Sequence, residues 1–207
     1  MLLYEGLTAL DLIGPYEVLC RLPDTETCFV AKQPGEIRVD TGIFGLVADK
    51  GLADVPRPDI FVVPGGSRGT IAASQDEQIL DWVRGAHETS TWTTSVCTGS
   101  LILGAAGVLQ GKRATTHWAA RQMLEPYGAS YTEQRVVRDG KIVTAAGVSS
   151  GIDMALTLVG LVADAETAQT IQLAVEYDPE PPYDAGSPGK AGELIVARAL
   201  QDLARGM

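Results

Sequence analysis

Apolar and β-branched residues recur along this chain with two different periods. Thr27-Cys28-Phe29-Val30-Ala31 and Asp59-Ile60-Phe61-Val62-Val63 are short apolar runs, the second nearly unbroken, as expected of a strand covered on both faces in a parallel sheet. Trp92-Thr93-Thr94-Ser95-Val96 is a third such run, richer in β-branched residues. Residues 14–22, 76–88, 100–106 and 117–124 instead place apolar side chains three and four positions apart, which predicts helices with one buried stripe. Arg135 to Thr144 holds Asp139-Gly140 between two β-rich segments, a strong hairpin signal. Residues 150–163 then read as a mostly buried helix and 191–204 as a final amphipathic one. Strands alternating with helices predict a doubly wound, mostly parallel α/β sandwich, with ligands binding at the carboxyl ends of the strands.

Two segments depart from that rhythm. The first strand, Leu2-Leu3-Tyr4 before Glu5-Gly6, is short for a central parallel strand, which points to a start further upstream. The stretch from Tyr177 to Gly189 is dense in proline and glycine. It reads either as a surface connector or as a flap over a pocket or a strap across a second copy.

At 207 residues and 45% hydrophobic content, the chain predicts one domain spanning residues 1–207. A formal net charge of −10, with acids and bases interspersed, offers no basic surface for nucleic acid or anionic lipid. No apolar run approaches the length of a membrane span. The three cysteines, Cys20, Cys28 and Cys97, match no zinc-binding spacing and no disulfide framework, so a metal-free protein of the reducing cytoplasm is expected.

The chemistry centres on Trp92 to Leu109. A β-rich run ends at Cys97, and Thr98-Gly99-Ser100 opens a helical pattern, the logic of a nucleophile elbow in which a sharp turn exposes a reactive atom at the sheet's rim. A thiol at a helix N-terminus is expected to have a lowered pKa and an enriched thiolate. Cys20 and Cys28 read instead as packing residues on a helix face and in a strand. Pro64-Gly65-Gly66 closes the strand before it, and reads either as a plain turn or as bare backbone whose amides bind an oxyanion-like intermediate. Asp11, between Leu10 and Leu12, is either a helix cap or a desolvated acid able to donate a proton near the thiol.

These three elements, in this order, resemble the DJ-1/PfpI superfamily. Thr94 to Ser100, Leu109 to Trp118, Arg135 to Gly140, Gly151-Ile152-Asp153, Glu176 to Tyr183 and Ala185 to Pro188 resemble in particular its isocyanide hydratase branch and regulatory relatives. The resemblance implies a flavodoxin-like fold, a homodimer and a cofactor-free enzyme acting on an isocyanide. It implies Cys97 as nucleophile, Asp11 as acid and Thr98 as the neighbouring hydroxyl, with Gly65, Gly66 and Thr98 lining the substrate. Glu17 is an outside candidate for the acid. His117 is either a partner to the thiol or, as preferred here, a residue that orders a helix start or dimer contact. Other thiol chemistry on the same scaffold, such as glyoxalase, deglycase or peptidase activity, is the main alternative. A sensing domain of a transcription factor is the weaker one, since such domains precede a helix-turn-helix region and this chain ends at Met207.

Overall fold

A computed structural model describes residues 1–205. After an extended Leu2 and Leu3 come α1 (Ala9–Leu19), β1 (Val30–Ala31), the pair β2 (Gly35–Arg38) and β3 (Gly45–Ala48), and β4 (Lys50–Gly51). Next are β5 (Ile60–Val63), α2 (Arg68–Ala73), α3 (Glu77–Thr89), β6 (Trp92–Val96) and α4 (Gly99–Ala105). The rest comprises β7 (Arg113–Ala114), 3-10 turns at Trp118–Met123 and Glu125–Tyr127, β8 (Ser130–Tyr131), β9 (Val136–Asp139), β10 (Ile142–Ala145), α5 (Ser150–Val162), α6 (Ala165–Ala174) and α7 (Glu193–Arg205).

Strands β5, β6, β10 and β9 lie side by side in that order, parallel except for the antiparallel β9–β10 hairpin. The parallel pair β1–β4 joins them through the first residues of the chain. Leu2 N–H donates to Val62 O (3.0 Å) and Leu3 N–H to Val30 O (2.7 Å), so the short first strand fills the place between β1 and β5. Side chains along β5 alternate between two cores. Phe61 and Val63 pack with α3 and α4 residues such as Leu80, Val83 and Leu103, while Val62 packs with Val18, Met154 and Leu158 of α1 and α5. Burial on both faces is the reason these strands read as unbroken apolar runs.

The pattern-based elements at 59–63, 92–96 and 135–144, and the helices at 76–88 and 150–163, correspond to β5, β6, the β9–β10 hairpin, α3 and α5. Three boundaries differ. Helix α1 begins at Ala9 rather than Gly14 and carries Pro15 inside it. Within residues 117–124 the chain forms a 3-10 helix at Trp118–Met123 rather than an α-helix. Of the expected strand 27–31, only Val30 and Ala31 enter a ladder. The β2–β3 pair and α6 stand outside the elements that the hydrophobic pattern predicts, although Asp164 caps α6 by accepting from Thr167 N–H (2.8 Å), a signal the sequence does carry. No helix among the described residues is long and apolar enough to cross a membrane.

Candidate active site

Three chain segments converge at the carboxyl ends of β5, β6 and β10. At the end of β6 the chain turns through Cys97, whose φ of +56° lies in the left-handed region that non-glycine residues rarely adopt. The turn is held from both sides. Cys97 N–H is shared between Ala145 O and Ala146 O (3.1 and 2.8 Å), and its carbonyl accepts from the hydroxyls of Ser100 (3.1 Å) and Thr116 (3.0 Å). Gly99 lies so close to the end of β5 that a Cβ there would collide with Val63 O. Strain is thus locked in by neighbours on β10, on α4 and at Thr116.

The Pro64-Gly65-Gly66 turn supplies the second segment. Gly65 N–H donates to Asp11 Oδ2 (2.9 Å), and Gly66 N–H to Thr98 Oγ1 (3.0 Å). Both amides are therefore engaged within the protein, where they fix Asp11 and Thr98. A side chain at residue 65 would approach Thr98 N, Asp11 Oδ2 and Thr98 Oγ1 within 2.6–2.7 Å, so the site closes only around bare backbone. Thr98 Oγ1 also donates to Gly66 O (2.7 Å) and meets Thr70 Oγ1 (3.0 Å), which contacts Tyr4 Oη at 3.0 Å. Tyr4 in turn donates to Pro64 O (2.7 Å). Tyr4 and Thr70, absent from the sequence reading, thus tie the turn to the elbow from positions that no local motif relates.

Asp11 is the third segment. It sits in the first turn of α1 yet makes no cap; its side chain crosses to Gly65 and stands beside the Cys97 thiol. It is fully buried, and its Oδ1 has no hydrogen-bond partner among the described residues. Burial pushes its pKa up to about 7, against the Gly65 hydrogen bond, which lowers it. Burial also pushes the Cys97 thiol well above its ordinary range, and the adjacent Asp11 charge adds to this. The amides of Val148 and Thr98, which face the sulfur, pull in the opposite direction. The expected lowering of the thiol pKa by the helix end is thus overturned, because desolvation outweighs two amide contacts. Of the two, Asp11 is the group whose pKa lies near neutrality.

The remaining candidates make no hydrogen bond to Cys97 or Asp11 among the described residues. Glu17 is exposed and paired with Arg21 at 2.9 Å, so α1 contributes one acid to the site, not two. His117 is half-buried; its Nδ1 accepts from Ala119 N–H (3.3 Å) at the start of a 3-10 turn, and its ring leaves no room for a Cβ on Gly147. Its burial lowers its pKa. His117 therefore shapes the loop that carries Val148. Val148 itself has a φ of +31°, an outlier for a β-branched residue, and nothing in the sequence marks it.

A doubly wound sheet with a strained cysteine elbow, a glycine turn and a buried acid defines a class, and comparison with known proteins gives the same class. The DJ-1/PfpI family model matches residues 1–161, and the chain belongs to that family. It is 46% identical over 198 residues to the isonitrile hydratase of Pseudomonas putida, covering 96% of this chain and 86% of that protein. A ThiJ/PfpI family protein from Pseudomonas syringae superposes with a TM-score of 0.95 at 39% identity, over all of this chain and 85% of the other. Drosophila melanogaster DJ-1beta shares the fold, with a TM-score of 0.78 at 22% identity over 86% of this chain and 96% of the other.

Proposed function

We propose that this chain hydrates isocyanides, R–N≡C, to N-substituted formamides through a covalent thioimidate on Cys97. The observation that carries the reading is the buried Asp11 carboxyl, with its pKa raised to about 7, standing beside the Cys97 thiol. An isocyanide carbon must gain both a nucleophile and a proton, and this pair holds one of each. The similarity to the Pseudomonas putida isonitrile hydratase supports the same substrate class.

In the first step the Asp11 carboxylate takes the thiol proton while the sulfur attacks the terminal carbon. A C–S bond forms, Asp11 delivers the proton to that carbon, and the product is the thioimidate R–N=CH–S–Cys97. Water then adds to the same carbon, one of its protons passing to nitrogen. The C–S bond breaks, releasing R–NH–CHO, and the remaining proton returns to the Asp11–Cys97 pair. Thr98 and Val148 amides stabilise the sulfur anion at departure, and Thr98 Oγ1, held by Gly66 and Thr70, keeps the wall of the site in place. Each step uses side chains and backbone alone.

The unit at work is residues 1–207 as one domain in a homodimer. Support for pairing comes from α7, which buries no residue of its own and leaves Leu194, Ile195, Leu200 and Leu203 exposed.

The test is turnover of phenyl isocyanide by wild-type and Cys97→Ser protein, following N-phenylformamide. Formamide from the wild type and none from the variant is the expected result. A wild type that makes no formamide overturns the hydratase reading.

A further inference from the structure

Three of the segments that carry the family resemblance have no part in the chemistry above: the residue before β9, the first turn of α5, and the chain after α6. They meet in space. Arg135 Nε donates to Asp153 Oδ2 (2.6 Å) and Arg135 Nη2 to Ser149 Oγ (3.1 Å), while Tyr177 Oη donates to the same Asp153 Oδ2 (3.1 Å). Tyr177 is itself set by a strained neighbour, Glu176, with φ of +50°. Its backbone is clamped by Gln172, which accepts from Tyr177 N–H and donates its side-chain amide to Tyr177 O, each at 3.1 Å.

What this cluster grips is the turn between β10 and α5. The carbonyl of Arg135 accepts from Ala146 N–H (2.9 Å) and its guanidinium holds Ser149, so one residue clasps both ends of the Ala146–Ser149 turn. Between those ends lies Val148, with φ of +31°, and the first carbonyl of the turn, Ala146 O, accepts from Cys97 N–H (2.8 Å), so the turn is bonded directly to the elbow. Strained conformations persist only where the surroundings over-determine them. Ser150 adds to the clasp, its N–H and Oγ both donating to Gly147 O (3.0 and 2.8 Å).

We propose that Arg135, Asp153 and Tyr177 are positioning residues that hold the Ala146–Ser149 turn, and with it the Val148 amide, against Cys97, so that the chain after α6 is mechanically joined to the nucleophile. The proposal rests on Cys97 being the nucleophile and not on the identity of the electrophile. The charged and titratable groups around the turn are Asp11 and Tyr4 behind the elbow, His117 against Gly147, and the Arg135–Asp153 pair itself.

The experiment is alkylation of Cys97 by iodoacetamide, resolved from Cys20 and Cys28 by mass spectrometry, across pH 6 to 10. Arg135→Met and Asp153→Asn are expected to slow alkylation about tenfold at pH 8 and displace its pH dependence upward, as loss of one amide donor to a charged group requires. Tyr177→Phe and Ser149→Ala, which preserve every charge, are expected to slow it about threefold, separating held geometry from a direct effect of the guanidinium's charge. Wild-type rates and pH dependence in folded Tyr177→Phe and Ser149→Ala overturn the proposal, even if Arg135→Met fails to fold. Alkylation needs no isocyanide. Slowed alkylation in the variants, together with a wild type that makes no formamide, would keep this proposal and remove the hydratase reading.

Discussion

Around Cys97 this chain buries polar groups, whereas along α7 it exposes apolar ones. Asp11, Thr70, Ser95, Ser100, Thr115 and Thr116 are all fully buried at or near the carboxyl edge of the sheet, and Asp11 Oδ1, Ser95 Oγ and Thr115 Oγ1 have no hydrogen-bond partner among the described residues, a cost left without offset. From Glu193 to Arg205 no residue is buried, and Leu194 stays 80% exposed. A domain left to optimise its own stability would do the opposite in both places. Strain and buried acidity at the elbow fit the proposed reaction, and the apolar stripe of the arm fits the proposed second copy.

The comparison breaks most completely at the elbow. Cys97→Ser keeps the shape but removes the polarisable thiol, the nucleophile of the proposed reaction, and formamide production is expected to fall by about 10⁴-fold or more. Asp11→Asn keeps an acceptor for Gly65 N–H but cannot carry the proton, with an expected loss of about 10²- to 10⁴-fold. The pH profile sharpens this. Wild-type kcat/KM should fall as pH drops below about 7, because the doubly protonated pair has no base to take the thiol proton; Asp11→Asn should lack that limb.

Stability should move the other way. The folded pKa of Asp11, about 7, lies above the ordinary 3.8, so the folded state keeps a proton that the unfolded chain releases. Its contribution is complete below about pH 4 and is lost as pH rises through 7. At pH 8 a buried, ionised Asp11 therefore costs stability, and Asp11→Asn should be more resistant to urea by about 2 kcal/mol, with the advantage shrinking towards pH 5. A variant less stable than wild type at pH 8 would show that Asp11 is not desolvated. Gly65→Ala comes next, at about 10²-fold in activity, since its Cβ displaces Asp11 and Thr98 together.

Much of the elbow was legible because its parts are local in sequence. A β-rich run ending at Cys97 before Thr98-Gly99-Ser100, and two glycines after an apolar strand, each name their own geometry. Asp11 was ambiguous, since cap and desolvated acid look alike until Gly65 is seen to take its side chain. Glu17 looked eligible, but helical phase turns it outward to Arg21. Tyr4, Thr70 and Val148 left no local trace. Their roles come from contacts across the fold, including the 66 positions that separate Tyr4 from Thr70. The sign of the thiol shift was misread for a related reason: a helix start is visible in sequence, whereas the depth at which it sits is not.

The smallest effects on activity belong to the arm. Leu200→Ser and Leu203→Ser each replace an exposed apolar residue on α7 far along the chain from the elbow. If the stripe covers a second copy, the paired change removes about 25 cal/mol for each Å² of apolar surface it had kept from water, counted on both copies. Sedimentation at micromolar concentration should then shift from dimer towards monomer, with kcat moved less than about threefold because no group that touches the substrate has changed. An unchanged dimer would place its contact elsewhere and leave α7 an exposed apolar helix. A dimer lost together with most of the activity would mean that the second copy completes the site, and the elbow and the arm would then form one functional unit.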